Sequence, residues 1–368
     1  MKYLDEFRDP VLARRLVGKI RGTVTRPRVI MEVCGGQTHS LLRHGIEAEL
    51  QGVVELIHGP GCPVCVTPAD AIDLAQELAS RPNVILASFG DMLRVPGTSR
   101  SLLDVRGGGG HVKVVYSPLD AVELAKNSPN QQVVFFAVGF ETTAPTTALA
   151  VLQAAQQGLE NFSLLVSHVR VLPAMEALMQ APNCRVEGFL AAGHVCTVTG
   201  FTEYEDFVQR HRTPVVVTGF EPVDLLDGIL DCVSQLESGQ AEVSNRYSRC
   251  VQTVGNEAAQ DVVDRVYEIV DTPWRGMGVI NSGGYRLRSE FEQFDATRRF
   301  ATSSGTCSSC DISNDCRSGE VLSGLIKPTE CEAFGTRCTP DSPLGAPMVS
   351  SEGACAAYYK YQPAVGMS

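Results

Sequence analysis

With 368 residues, the chain is longer than one hydrophobic core ordinarily organises, so two or three domains are expected. Hydrophobic residues at 44% and charged residues at 20% match a folded globular chain and exclude a disordered one. A net charge of −11, from 31 basic against 42 acidic residues, argues against nucleic acid or an anionic membrane as partner.

Residues 1–27 read as a lead-in helix, with Phe7, Val11, Leu12, Leu16 and Ile20 at near-helical spacing. The opening stretch is mixed in charge and has no apolar signal core, and no apolar run approaches the ~20 residues needed to span a bilayer. No membrane partner and a cytoplasmic location are the expectation.

From Arg28 to Pro222 the pattern changes to short β-branched runs, at 29–33, 53–57, 84–87, 112–116, 133–138, 163–166 and 215–217. Amphipathic stretches of roughly 10–15 residues separate several of them, the mark of βαβ units in a mainly parallel sheet. The phrase Pro68-Ala-Asp-Ala-Ile-Asp-Leu-Ala75 is echoed by Pro118-Leu-Asp-Ala-Val-Glu-Leu-Ala125, each ahead of an apolar run that ends in glycine. Gly139-Phe-Glu-Thr142 likewise returns as Gly219-Phe-Glu-Pro222. Two related, Rossmann-like α/β domains are therefore expected, over 28–110 and 111–222, with 223–300 a largely helical segment that could return to the first. Gly107–Gly110 lacks the Lys-Ser/Thr of a phosphate loop and reads as a flexible turn or a domain junction. Beyond Ala301 the apolar periodicity collapses, so residues 301–368 form a small cysteine-rich domain that needs a metal or cross-links to hold one shape.

Thirteen cysteines, an odd number without a secretory signal, point to metal or redox chemistry rather than a secreted disulfide scaffold. Cys34 lies in a strand-to-helix loop, Glu32-Val-Cys-Gly-Gly-Gln-Thr-His39, where parallel sheets bind ligands and a helix amino terminus favours a thiolate. Cys62-Pro-Val-Cys65 follows the next strand and suits a dithiol–disulfide pair or two soft ligands for iron or copper. Neighbouring strands would bring these three thiols onto one rim, within reach of His39 and His58. Cys316, Cys331, Cys338 and Cys355 suit zinc or a [4Fe–4S] cluster, with Cys307 and Cys310 a competing pair; spacing alone does not choose. Asp91, Glu141, His168, His194 and Glu221 each follow an apolar run and are candidates for the same rim.

Taken together, Cys34-Gly-Gly-Gln-Thr-His39, Gly59-Pro-Gly-Cys-Pro-Val-Cys65, Phe89-Gly-Asp-Met92, Gly139-Phe-Glu-Thr-Thr143, Gly193-His-Val195, Gly219-Phe-Glu-Pro222 and the C-x14-C-x6-C-x16-C tail resemble the hydrogenase maturation protein family HypD over essentially the whole chain. Gln37 stands where that family usually has His, and Cys196 where it has Ser. The resemblance implies an assembly scaffold rather than a conventional small-molecule enzyme. It would pair with a HypC-like small chaperone, accept cyanide from a HypE-like donor, and build the Fe(CN)2CO group of [NiFe] hydrogenases. By the same resemblance Cys34 is the central thiolate for iron, Cys62 and Cys65 are a redox pair near or on that iron, and Cys316, Cys331, Cys338 and Cys355 hold a [4Fe–4S] cluster. His39, Asp91, Glu141, His194 and Glu221 are supporting residues. The rival reading is a thiol–disulfide oxidoreductase with an accessory cluster, acting on other proteins.

Overall fold

The structure, a computed structural model, describes residues 5–300 and 315–361, so Cys307 and Cys310 lie outside the described residues. The lead-in helix spans Pro10–Thr23; Asp9 caps it by accepting from the backbone N–H groups of Val11 and Leu12 at 2.7 and 3.3 Å. Its buried face, Leu16 and Ile20, packs against the long helix Pro222–Ser238.

Eleven strands follow among the described residues: β1 Arg28–Glu32, β2 Val54–His58, β3 Val84–Ser88, β4 Val112–Val114, β5 Gln132–Gly139, β6 Phe162–His168, β7 Gly188–Ala192, β8 Val215–Thr218, β9 Val243–Asn245, β10 Tyr267–Trp274 and β11 Gly278–Leu287. They form two parallel sheets, β2-β1-β7-β8-β9 and β4-β3-β5-β6, and one antiparallel hairpin, β10–β11. The fold is α/β, with helices in the crossovers between parallel strands, as parallel pairing requires. Both sheets are buried on their two faces, which is why their strands read as continuous apolar runs: Val133 to Ala137 are all fully buried.

The strands do not group by the blocks 28–110 and 111–222. The first sheet opens with β1 and β2, the chain leaves to build the whole second sheet, and β7, β8 and β9 then return to the first. A division at Gly110 falls inside the second sheet, because β3 pairs with β4 on one side and β5 on the other. The echoed helix–strand phrases end in β3 and β5, neighbours in that one sheet. Residues 223–300 serve both units. Helix Pro222–Ser238 packs on β7 and β8, whereas helix Glu257–Val266 packs on helix Ala144–Gln156 beside the second sheet, and the β10–β11 hairpin lies against β6. Strand Gly188–Ala192 escapes a propensity reading because Gly-Phe-Leu-Ala-Ala is short and lacks β-branched residues.

The cysteine-rich tail is irregular, with short helices Ser318–Leu322, Ala346–Val349 and Ala354–Tyr361. It borrows its core: Phe334, Met348, Ala357 and Tyr358 close over Leu42 of helix Gly35–Arg43. No helix is long and apolar enough to cross a membrane among the described residues.

Ile30 is fully buried at the centre of β1, between β2 and β7. Ile30→Ala should lower unfolding stability by about 2–5 kcal/mol, read as a fall in the denaturant midpoint. A change near zero would mean that β1 is not the spine of this sheet.

Candidate functional site

The chain passes from β1 to β2 on one side and reaches β7 on the other, so the carboxyl ends of β1 and β7 flank a topological switch point, the place where parallel sheets bind ligands. Cys34 lies just beyond β1 and caps helix Gly35–Arg43; His194 lies just beyond β7. The His194 Nδ1 is 3.7 Å from Cys34 Sγ, and its ring stacks obliquely on Phe220, beyond β8, at 5.3 Å between centroids. The loop after β2 closes against Cys34: Gly35 N–H donates to the Gly61 carbonyl at 3.1 Å, and any side chain at Gly61 would run into the Cys34 backbone. Cys62 caps the next short helix, accepting from Cys65 N–H at 3.1 Å, and Cys62 and Cys65 are joined as a disulfide with Cα–Cα 5.2 Å. The three thiol positions share one buried cluster and are 4%, 2% and 1% exposed.

Burial pushes the Cys34 thiol well above its ordinary range; the backbone amides of Gln37 and Gly36 pull the other way, and the charges of Glu32 and Glu352 add to the rise. The helix amino terminus therefore does not make a resting thiolate here. Burial also lowers His194, which keeps its imidazole neutral and able to accept a proton.

Beneath Cys34 runs a buried polar chain. Glu32 is fully buried; its Oε2 accepts from Cys34 N–H at 2.7 Å, and its Oε1 accepts from the Thr38 hydroxyl and lies 2.7 Å from His58 Nδ1. His58 Nε2 reaches the Tyr358 hydroxyl at 3.0 Å, and that hydroxyl donates to both Glu47 oxygens at 2.9 Å. Lys327 closes the chain with an ion pair to Glu47. Burial works against a charged His58, but hydrogen bonds and charge from Glu32 and Glu47 outweigh it and lift the group to about 9. Burial likewise raises Glu47, yet His58 and Lys327 prevail and hold it at about 2. Glu47, Lys327 and Tyr358 were invisible as site residues in the sequence; Glu32, an acid inside the apolar run Val29–Val33, was the one available signal.

The tail returns across this site as a strap. The Ser350 hydroxyl lies 3.3 Å from Cys62 Sγ, Ser351 donates to Asp91 Oδ2 at 2.7 Å, and Arg94 donates to the Val349 carbonyl at 3.1 Å. Glu352 sits so close to Gly35 that a side chain there would collide with it. Behind the strap, Cys316, Cys331, Cys338 and Cys355 line a single cavity.

Among the described residues, no three His, Cys, Asp or Glu side chains are gathered tightly enough to hold one metal ion. The four thiols line one space rather than a single coordination sphere. Their surroundings fit an iron–sulfur cluster. Gly345 carries no side chain where one would strike Cys316 Sγ, and Leu344 N–H donates to Cys338 Sγ at 3.4 Å. Burial, then the charges of the other three thiolates, raises Cys355, a repulsion that a cationic cluster core would relieve.

Other candidates lie elsewhere. Asp91 meets the strap rather than Cys34. His39 stacks edge-on against Tyr361 at 5.6 Å and is lowered by burial. Glu221 is an N-cap residue that pairs with Arg8 at 2.5 Å. Glu141 follows β5, accepts from Val171 N–H at 2.9 Å and is raised to about 7 by burial, lining a separate cavity with Arg170 and Tyr204. His168, buried and lowered to about 3, bonds Thr143 at 3.2 Å. Gln37 turns into the sheet, donating to the Ala191 carbonyl at 3.2 Å and Thr218 Oγ1 at 2.6 Å.

The family described as hydrogenase formation hypA family, HypD, matches residues 11–362. The chain is 44% identical to a hydrogenase maturation factor HypD of Rhodobacter capsulatus, covering 98% of both chains. It is 46% identical to a hydrogenase expression/formation protein HupD of Azotobacter chroococcum mcd 1, with 98% of this chain and 97% of that one covered. It is 43% identical to a hydrogenase maturation factor HypD of Escherichia coli, again over 98% of both.

Because the folded-state pKa of His58 lies above its ordinary 6.5, its stabilisation is complete below pH 6.5 and is lost as pH rises through about 9. The share of Glu47, depressed to about 2, is complete above pH 4.5 and is lost as pH falls through about 2. The melting-temperature gap between wild type and His58→Gln should therefore close between pH 6.5 and about 9. A gap that stayed constant across that window would show that His58 is neutral in the fold.

Proposed function

The chain belongs to the HypD family of hydrogenase maturation factors, and from that premise we propose that it is the scaffold on which the Fe(CN)2CO group of [NiFe] hydrogenase is assembled. The observation that carries the reading is the convergence of Cys34, the Cys62–Cys65 pair and His194 beyond the carboxyl ends of β1, β2 and β7, with four further cysteines around a cavity in the tail that folds against them.

Cys34 is the ligand for the iron that is being dressed. Its sulfur is soft, which suits low-spin iron carrying cyanide and carbon monoxide. His194 Nδ1, 3.7 Å away, takes the thiol proton as sulfur binds metal. Glu32 holds the Cys34 amide and so fixes where the sulfur points. Cys62 and Cys65 exchange two electrons and two protons as they pass between disulfide and dithiol, the reducing equivalents that cyanide transfer from a thiocyanate consumes. Cys316, Cys331, Cys338 and Cys355 are the residues that would hold a [4Fe–4S] cluster, which when bound supplies one-electron redox chemistry. The net charge of −11 suits protein partners, a HypC-like chaperone and a HypE-like cyanide donor, working in the cytoplasm. A general thiol–disulfide oxidoreductase acting on other proteins is the weaker reading, because the relatives of this chain are named for hydrogenase maturation.

Protein isolated anaerobically with its small partner from cells expressing the maturation machinery should show cyanide and carbonyl infrared stretches, absent in Cys34→Ala. Their absence from an intact, iron-loaded wild-type complex would overturn the scaffold reading. Separately, Cys338→Ala and Cys355→Ala should lose most bound iron and sulfide while Cys34→Ala retains them. Equal iron and sulfide in all three would remove the cluster from the tail.

A further inference from the structure

Every thiol of the site is shut away from solvent, yet iron and its ligands must reach Cys34. Against its loop lies the strap 349–353, with Ser350 at Cys62 and Glu352 at Gly35, and the groups that hold the strap can be named. One end is tied by Arg94 to the Val349 carbonyl and by Ser351 to Asp91, the latter a partly exposed link of small worth. The other end runs into helix Ala354–Tyr361, whose Tyr358 is 1% exposed and bonds both His58 and Glu47. Glu47 is fastened in turn by Lys327, from the stretch between Cys316 and Cys331. The donors run consistently: Cys34 N–H and imidazolium N–H to Glu32, imidazolium N–H to the phenol, phenol O–H and ammonium to Glu47. Two carboxylates and two cations leave the buried chain without net charge.

We propose that Tyr358 and Glu47 are positioning residues for Cys34: they latch the carboxy-terminal strap over it and tie that latch to the loop that aims it. The inference rests on the reading of Cys34 as the working thiol, but it concerns only the latch. Opening requires Tyr358 to leave a charged acceptor inside the protein, a larger barrier than release of the surface contacts of the strap. When the latch parts, the strap lifts from Gly35 and Cys62, and Cys34 is uncovered in a site whose strands have not moved.

The test is differential alkylation of the full-length protein by iodoacetamide, with peptides quantified by mass spectrometry. Cys232 is the internal reference: it is fully buried on helix Pro222–Ser238, beside Gly188 at the far end of β7. Tyr358→Phe keeps the ring and its packing but removes the hydroxyl. It should raise the ratio of Cys34 to Cys232 modification by about ten- to a hundredfold, the range set by loss of one hydrogen bond to a charged group. Glu47→Gln should do the same, and the double variant should add little to either single change, because both break one chain. A merely structural role would raise both cysteines together through global unfolding and leave the ratio unchanged. That result, or no change in either rate, overturns the proposal. If Tyr358→Phe does not fold, Lys327→Gln at the part-exposed end carries the same readout, and an unchanged ratio there overturns the proposal equally. Failure of the scaffold reading shows elsewhere, as missing infrared bands in wild type with the alkylation ratio still shifted.

Discussion

Glu32 places a carboxylate where no solvent reaches it, at the end of a strand after three apolar residues, and much of the remaining architecture answers that placement. An unpaired carboxylate in such a position costs several kcal/mol, so the fold must surround it with donors. It supplies a backbone amide from Cys34, a hydroxyl from Thr38 and an imidazolium from His58. The imidazolium then needs a second acceptor, which brings in Tyr358 and Glu47, and Glu47 needs a cation, which brings in Lys327. One buried charge on β1 thus binds the loop after β1, the end of β2 and two separate parts of the cysteine-rich tail.

That chain also explains how a tail with so little apolar material holds a defined shape. Its small cluster around Phe334, Met348 and Tyr358 is completed only by Leu42 of the first α/β unit, and its strap is pinned to both sheets through Asp91, Arg94 and Ser350. The segment 344–355 is the common element: its backbone meets Cys338 at one end, passes Cys62 and Gly35, and returns to the four-cysteine cavity through Cys355.

The state of Cys34 is a contest of magnitudes. A helix amino terminus is worth typically 0.3–1 kcal/mol to an adjacent anion, whereas full burial shifts an ionisable group by up to 3–5 pKa units at about 1.4 kcal/mol each. Burial wins, and the resting sulfur is a neutral thiol beside a neutral histidine.

Local sequence was enough to determine the α/β class, most of the parallel strands and the loops that carry Cys34 and Cys62-Pro-Val-Cys65. These depend on runs of five to eight apolar residues and on Gly and Pro at fixed offsets, which act over short range. Membership of the two sheets was decided only in three dimensions, because Val84–Ser88 and Val215–Thr218 are equally apolar and nothing within a strand names its neighbour. The same holds for the rest of the Glu32 chain: Glu47, Lys327 and Tyr358 are ordinary residues of exposed-looking helices and turns until contacts some 300 residues away in sequence join them. Sequence specified the thiols and the period of each element; long-range packing alone determined which charges meet and what lies over Cys34.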